Sequence, residues 1–146
     1  MPYEFKTIRR VEFHETDMAG LMHFSNYFRY METVEQAFFR SLGFSVFKCC
    51  DPPVSFPRVH AECDYKLPLH FEDEVEIHLL VAEKKHKALT FAFKFRKLNA
   101  SPPVQVARGA LVAVCVKHDA EGRMAACPIP KIVAGKIQAA PPELLA

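Results

Sequence analysis

Long hydrophobic runs are missing. No stretch of about 18 apolar residues occurs, so no membrane-spanning helix is expected. A dominant charge is missing too. Nineteen Lys and Arg stand against seventeen Asp and Glu, for a net charge of +2. No basic block stands apart, so no nucleic-acid partner is expected. Met1 to Arg10 lack the charged-then-apolar order of a secretory signal. Glycine is scarce, with five residues against eleven prolines. The five cysteines are Cys49, Cys50, Cys63, Cys115 and Cys127, an odd number with no C-x-x-C pair. That pattern predicts free thiols in a reducing, cytoplasmic compartment. Cys63 and Cys115 sit in apolar stretches, where Cys packs as a small hydrophobe. His60 and Cys63, with Cys49 and Cys50 upstream, match no usual zinc spacing, so neither metal nor cofactor is expected.

Half of the 146 residues are apolar, enough for a packed core and one domain over residues 1–146. Proline supplies the punctuation: Pro52, Pro53 and Pro57 in one connection, Pro68 in another, Pro102 and Pro103 in a third. Pro128, Pro130, Pro141 and Pro142 mark an irregular tail. Between these breaks, period-2 alternation dominates. Tyr3, Phe5, Val11 and Phe13 share one phase. Val59, Ala61, Cys63 and Tyr65 share the next, followed by Val75, Ile77, Leu79 and Val81, then Leu89, Phe91, Phe93 and Phe95. Ala110 to Val116 is apolar throughout, which predicts a fifth strand buried on both faces.

One segment has helical spacing instead: Tyr27, Tyr30, Met31, Val34, Phe38 and Leu42. Phe28 and Phe39 widen its apolar stripe. Ser25 or Asn26 can cap its start, and Gly43 ends it. Glu32 and Glu35 fall on its polar side and read as solvated. The order is strand, helix, then four strands with short connections. That is an α+β architecture with an antiparallel sheet. Such a sheet has edges, and pairing two copies edge to edge is the simplest way to cover them.

The densest polar cluster runs from His14 to Tyr27, between the first strand and the helix. Asp17 lies in a loop that feeds a helix N-terminus, whose first N–H groups have no internal partners. Such donors carry partial positive charge and can hold a polarised carbonyl oxygen. A carboxylate opposite them makes a minimal acyl-transfer site. The ordinary alternative is that Asp17 is a turn residue or cap, and that His23 is a satisfied polar residue.

Val11 to Glu32 reads VEFHETDMAGLMHFSNYFRYME. This stretch resembles the hotdog-fold acyl-CoA thioesterases of the 4-hydroxybenzoyl-CoA thioesterase type. Thr16, Asp17, Gly20, Asn26 and Tyr27 fit the family pattern. Tyr65, Pro68, Leu69, the Glu72-Asp73 corner, the basic turn near Lys85, and Ile129-Pro130 support it. The resemblance covers roughly residues 5 to 132. It implies a five-stranded antiparallel sheet wrapped around one long helix, and hydrolysis of an acyl-CoA to free acid and CoA. Asp17 falls on the family's catalytic carboxylate, as nucleophile or general base. Phe24 falls where the family presents a backbone N–H to the thioester carbonyl, and Gly20 permits the tight loop.

His23, Asn26 and Tyr27 are expected around the substrate. Many short-chain members carry His at the position of Phe24, so no catalytic role passes to His23. An aromatic at position 24 goes with aromatic acyl groups in the family, which points to an aryl or similarly bulky substrate. Lys85 and Lys87 match positions that contact CoA phosphates; Arg58 and Lys66 are further candidates. A non-catalytic acyl-CoA binder and a hotdog hydratase or dehydratase are the rival readings. A large substrate on so short a chain predicts a homodimer with a shared pocket, and the resemblance suggests two dimers joined as a homotetramer.

Overall fold

The structure is a computed structural model that describes residues 2–43, 45, 50 and 52–146. Of the candidate thiols, Cys49 lies outside the described residues. Strand β1 spans Glu4–Arg10, helix α1 Ser25–Ser41, and β2 Arg58–Tyr65. Strands β3 (Glu74–Lys84), β4 (Ala88–Lys97) and β5 (Val104–Val114) follow. These five strands form one sheet in the order β1-β3-β4-β5-β2, antiparallel at every pairing. The expected α+β architecture and element order are present, and the sheet wraps the long helix.

Periodicity explains why these segments fold as they do. On β3, Val75, Ile77, Leu79 and Val81 alternate toward the core; on β4, Leu89, Phe91, Phe93 and Phe95 do the same. Tyr27, Tyr30, Met31, Val34 and Phe38 of α1 pack against that surface as one cluster. Phe38 and Phe39 each meet the Phe91 ring edge-on, at centroid distances of 6.4 and 6.3 Å. Gly109 on β5 lets α1 approach closely, because a Cβ there would fall on Met31 Cε. Gly43 ends the helix region with φ +95°, a conformation that favours glycine.

Several expectations change. The helix start carries no side-chain cap. Phe24 is the N-cap residue, while Ser25 Oγ turns to His23 Nδ1 at 2.8 Å and Asn26 Nδ2 donates to Glu15 O at 2.8 Å. Both side chains brace the preceding loop instead. Glu35 is not solvated. It is 1% exposed and bonded to Arg58, whose Nη2 lies 2.5 Å from Oε1. Burial pushes its carboxyl above the ordinary range, against the opposing pull of Arg58. Strand β5 is buried on one face only; Ala110, Val112 and Val114 are half-buried.

Strand β2 is the outlier. Its alternation resembles that of β3, yet it is exposed along almost its whole length, with Val59 at 63%. It is an edge strand with β5 as its one neighbour in the sheet. The tail, by contrast, is more ordered than its prolines predict. A small hairpin forms from β6 (Val116–His118) and β7 (Met124–Ala126), followed by short helices α2 (Lys131–Ala134) and α3 (Pro142–Leu145). The tail covers the outer face of the sheet: Ala140 N donates to Val81 O at 2.7 Å, and Lys94 Nζ donates to Leu144 O at 2.7 Å. Leu80, which points outward, is thereby fully buried.

The Gly109 contact can be tested by overpacking. Gly109→Val is expected to lower stability by about 1–3 kcal/mol as Met31 and α1 are displaced. Urea denaturation measures this; an unchanged midpoint would show that Met31 moves aside freely.

Candidate active site

The loop between β1 and α1 is held at both ends before it carries any chemistry. After β1, Val11 N donates to Asp73 O and Glu72 N to Val11 O, both at 2.9 Å. A single helical turn, Phe13–Glu15, follows. Glu15 is buried, and its Oε1 accepts from Tyr30 OH at 2.6 Å and from Glu12 N at 2.8 Å. Arg9 approaches its Oε2 to 3.6 Å and stacks over the Tyr30 ring at 4.2 Å. The loop then closes on itself: Thr16 bridges Met22, and Asp17 N donates to Leu21 O at 2.8 Å. Gly20, with φ +81°, makes this tight return possible. Met22 N donates to Leu69 O at 2.7 Å and His23 N to Glu15 O at 2.8 Å, which delivers the chain to the start of α1.

Asp17 sits at the exposed tip of this return. Its Oδ1 accepts from Ala19 N at 2.9 Å and Leu21 N at 3.2 Å. These bonds fix the carboxylate plane and leave Oδ2 with no hydrogen bond among the described residues. At the foot of the same loop, the Phe24 N–H donates to no acceptor among the described residues. A cavity of about 330 Å³ is lined by Asp17, Leu21, Met22, Phe24, Tyr27, Tyr65, Lys66, Leu67 and Pro68. Apart from the Asp17 carboxylate, the two tyrosine hydroxyls and Lys66, its side chains are apolar.

The tyrosines fix the wall of this cavity. Tyr65 OH donates to Phe24 O at 3.0 Å, which ties the end of β2 to the start of α1. Tyr27 meets Tyr65 edge-on at 4.8 Å and Phe95 at 5.3 Å. Burial, with the Cys63 thiol next in weight, pushes both phenols up to about 12. Both therefore remain protonated near neutrality and supply hydroxyl groups rather than bases.

The other candidate residues lie elsewhere in the chain. His23 Nδ1 accepts from Ser25 N at 3.2 Å, and its ring stacks on Phe24 at 4.4 Å. With Asn26, it lines a separate polar cavity beside Arg9, His14 and Arg29. Lys85 and Lys87 occupy the exposed turn between β3 and β4, with Lys85 Nζ 3.7 Å from Glu83. That turn and Arg58 lie at one end of the sheet, while Asp17 and Tyr65 lie at the other. Along β2 alone the separation is about 23 Å. Arg58 lines a second cavity of about 520 Å³ with Glu35, Phe56 and Met124. The motif points to Asp17 but carries no signal for Met22 or Leu67, whose role in lining the cavity depends on how the loop folds.

No group of three or more His, Cys, Asp or Glu side chains among the described residues is arranged to hold a metal ion. No helix of the described chain is long and apolar enough to cross a membrane.

Comparison with known proteins places this chain in a class. A family model described as the thioesterase-like superfamily matches residues 11–146, and the chain belongs to that family of thioester hydrolases. The resemblance drawn from Val11 to Glu32 therefore holds, and the neighbouring folds include 4-hydroxybenzoyl-CoA thioesterase. A protein of Aquifex aeolicus, solved as a hypothetical protein, is 35% identical; the match has a TM-score of 0.80 and covers 92% of this chain and 99% of that one. A solved gentisyl-coenzyme A thioesterase is 32% identical, with a TM-score of 0.74 and coverage of 89% and 99%. The 1,4-dihydroxy-2-naphthoyl-CoA hydrolase of Synechococcus sp. (strain CC9311) is 29% identical over 125 residues, 80% of each chain.

Asp73 provides a test of how the loop is braced. Its Oδ2 accepts from His70 N at 2.7 Å, its Oδ1 accepts from Asn99 Nδ2 at 2.9 Å, and Lys97 Nζ lies 3.4 Å away. Burial alone would raise its pKa, but these bonds outweigh it and hold the carboxyl below its ordinary value. The folded pKa is the lower one, so the contribution is full above the unfolded value and lost as pH falls through the folded one. Asp73→Ala is expected to cost about 1.5–3 kcal/mol at pH 7 and less at pH 3. Urea titrations at the two pH values read this directly; an equal loss at both would remove ionisation from the explanation.

Proposed function

We propose that this protein hydrolyses an acyl-CoA thioester, releasing a free acid and CoA, with Asp17 as the reacting carboxylate. The observation that carries the reading is the pairing of two uncommitted groups on one cavity: Asp17 Oδ2 and the Phe24 N–H at the start of α1. The N–H donates to the thioester carbonyl oxygen, which accepts more strongly as negative charge develops on it. Asp17 either attacks the carbonyl carbon, so that the C–S bond breaks and an acyl anhydride forms for water to open, or takes a proton from the attacking water. Either route adds one water across the C–S bond and ends at the same acid and thiol. The relatives named for gentisyl-CoA and dihydroxynaphthoyl-CoA favour an aromatic acyl group, which suits a cavity walled by Tyr27, Tyr65 and Phe24. A hydratase would be better served by an Asp–His pair, and His23 instead lines a different cavity.

The active unit in this reading is a cytoplasmic homodimer, paired through β2 and assembling further into a homotetramer. Exposed β2, with its uncovered apolar phase, supports such an edge pairing. Lys85, Lys87 and Arg58 are too far along the sheet to reach a substrate at their own chain's Asp17. An antiparallel pairing of two β2 strands brings them to the partner's site, where the lysines meet the CoA phosphates.

A thiol-release assay with a panel of aromatic and aliphatic acyl-CoAs tests the chemistry. Asp17→Asn and Asp17→Ala are each expected to lower kcat by about 10³-fold or more, with the fold retained. Activity that survives Asp17→Ala removes Asp17 from the mechanism. Sedimentation run alongside activity on dilution tests the assembly. Specific activity is expected to fall as dimers dissociate, and a fully active monomer rules out a shared site.

A further inference from the structure

One buried ion pair has no role in the chemistry so far. Glu35 is buried in the middle of α1, and its Oε1 accepts from Arg58 Nη2 at 2.5 Å and Gln36 Nε2 at 3.1 Å. Its Oε2 is buried with no hydrogen-bond partner. A carboxylate is costly to bury, and an apolar side chain would fill this helix position more cheaply. What the carboxylate does is fix an arginine. Arg58 is held by Glu35 and by Phe56 O, which accepts from Nη1 at 3.2 Å. Its guanidinium stays partly exposed on the 520 Å³ cavity, which Glu32, Gln36, Pro57 and Met124 also line. A guanidinium has five N–H donors, so several remain free for an incoming oxygen.

The direction of the chain decides where that oxygen comes from. Helix α1 and β2 run in opposite directions: Phe24 meets Tyr65 at one end, and Glu35 meets Arg58 at the other. Two copies joined antiparallel along β2 about a two-fold axis therefore set Arg58 of one against Tyr65 of the other. The cavity that holds Arg58 then opens beside the cavity that holds the other copy's Asp17. We propose that Glu35 is a positioning residue for the thioesterase reaction: it holds Arg58 so that the guanidinium binds an acceptor oxygen of the substrate seated at the other subunit's Asp17. This rests on the thioesterase and dimer reading above. The oxygen belongs either to a hydroxyl on the acyl group or to a phosphate of CoA.

Glu35→Gln preserves the side-chain volume and removes the charge that holds Arg58. It is expected to raise KM for 4-hydroxybenzoyl-CoA by about tenfold or more while kcat stays within about twofold. A fall in kcat or in active fraction with KM unmoved means that Glu35 only supports the fold, and overturns the proposal. The double variant Glu35→Gln/Arg58→Ala is expected to be no worse than Arg58→Ala alone; additive losses show that Glu35 does not act through Arg58. Benzoyl-CoA and the N-acetylcysteamine thioester of 4-hydroxybenzoate separate the two oxygens. A KM effect that disappears with the first assigns the acyl hydroxyl, and one that disappears with the second assigns the phosphates. An effect that persists with both overturns the oxygen contact.

Placement across the dimer is tested by co-expressing Asp17→Asn and Glu35→Gln subunits under different tags. The mixed dimer has one site with Asp17 from one chain and Glu35 from the other, and is expected to regain the wild-type KM. Failure to regain it places Glu35 and Asp17 in one chain's site. If the wild-type protein turns over no thioester, the functional reading fails, and this is distinct from failure of the Glu35 assignment.

Discussion

The burial of one side of α1 against the concave face of the sheet governs the rest of the molecule. The helix must lie along the strands to cover Phe91, Phe93 and Phe95, and this fixes both of its ends. Its N-terminus falls at the end of the sheet where β2 finishes and β3 begins, beside the corner at Asp73. The first free N–H of a helix is a fixed dipole whose position is inherited from core packing. The Asp17 loop is then drawn to that spot by Glu15, which is bonded to Tyr30 on the buried side of the same helix. The placement of Asp17 and the Phe24 N–H is thus secured by apolar burial first and by a few buried hydrogen bonds second.

Much of this is legible in the sequence. Strands β3 and β4 announce themselves because each has a wet face and a dry face, and α1 because its apolar residues recur at helical spacing. The loop from Thr16 to Tyr27 was legible through its motif, which resembles a family pattern. What escaped is what depends on neighbours. Glu35 lies on the polar side of a helical wheel, and only the approach of Arg58 from a distant strand allows it to be buried. Strand β2 carries the same alternation as β3 and β4, and nothing in its residues says that it is an edge. The capping roles of Ser25 and Asn26 failed for a similar reason: Glu15 and His23 compete for those side chains, and both come from the folded loop.

The molecule has two chemically different ends. One holds a carboxylate and an unpaired N–H; the other holds a basic turn and a buried ion pair. In a single chain these are separated by the length of a strand. In the proposed dimer an antiparallel two-fold axis turns that separation into proximity, since it sets the head of one copy against the foot of the other. On that proposal the short chain obtains a site larger than either of these two cavities.

The surroundings of Asp17 have a consequence for its reactivity. Phe13, Met18, Phe24 and Phe71 all stand largely exposed around it, and Phe13 meets Phe71 edge-on at 5.7 Å. In water the carboxylate is hydrated and is a poor nucleophile or base. Any surface or substrate that covers these apolar side chains also strips the solvent from between them. The carboxylate then faces the thioester with its charge unscreened, in a medium where a nearby N–H dipole acts more strongly. On the proposed role of Asp17, an apolar rim that looks like a solubility liability thus works as a humidity control on the carboxylate.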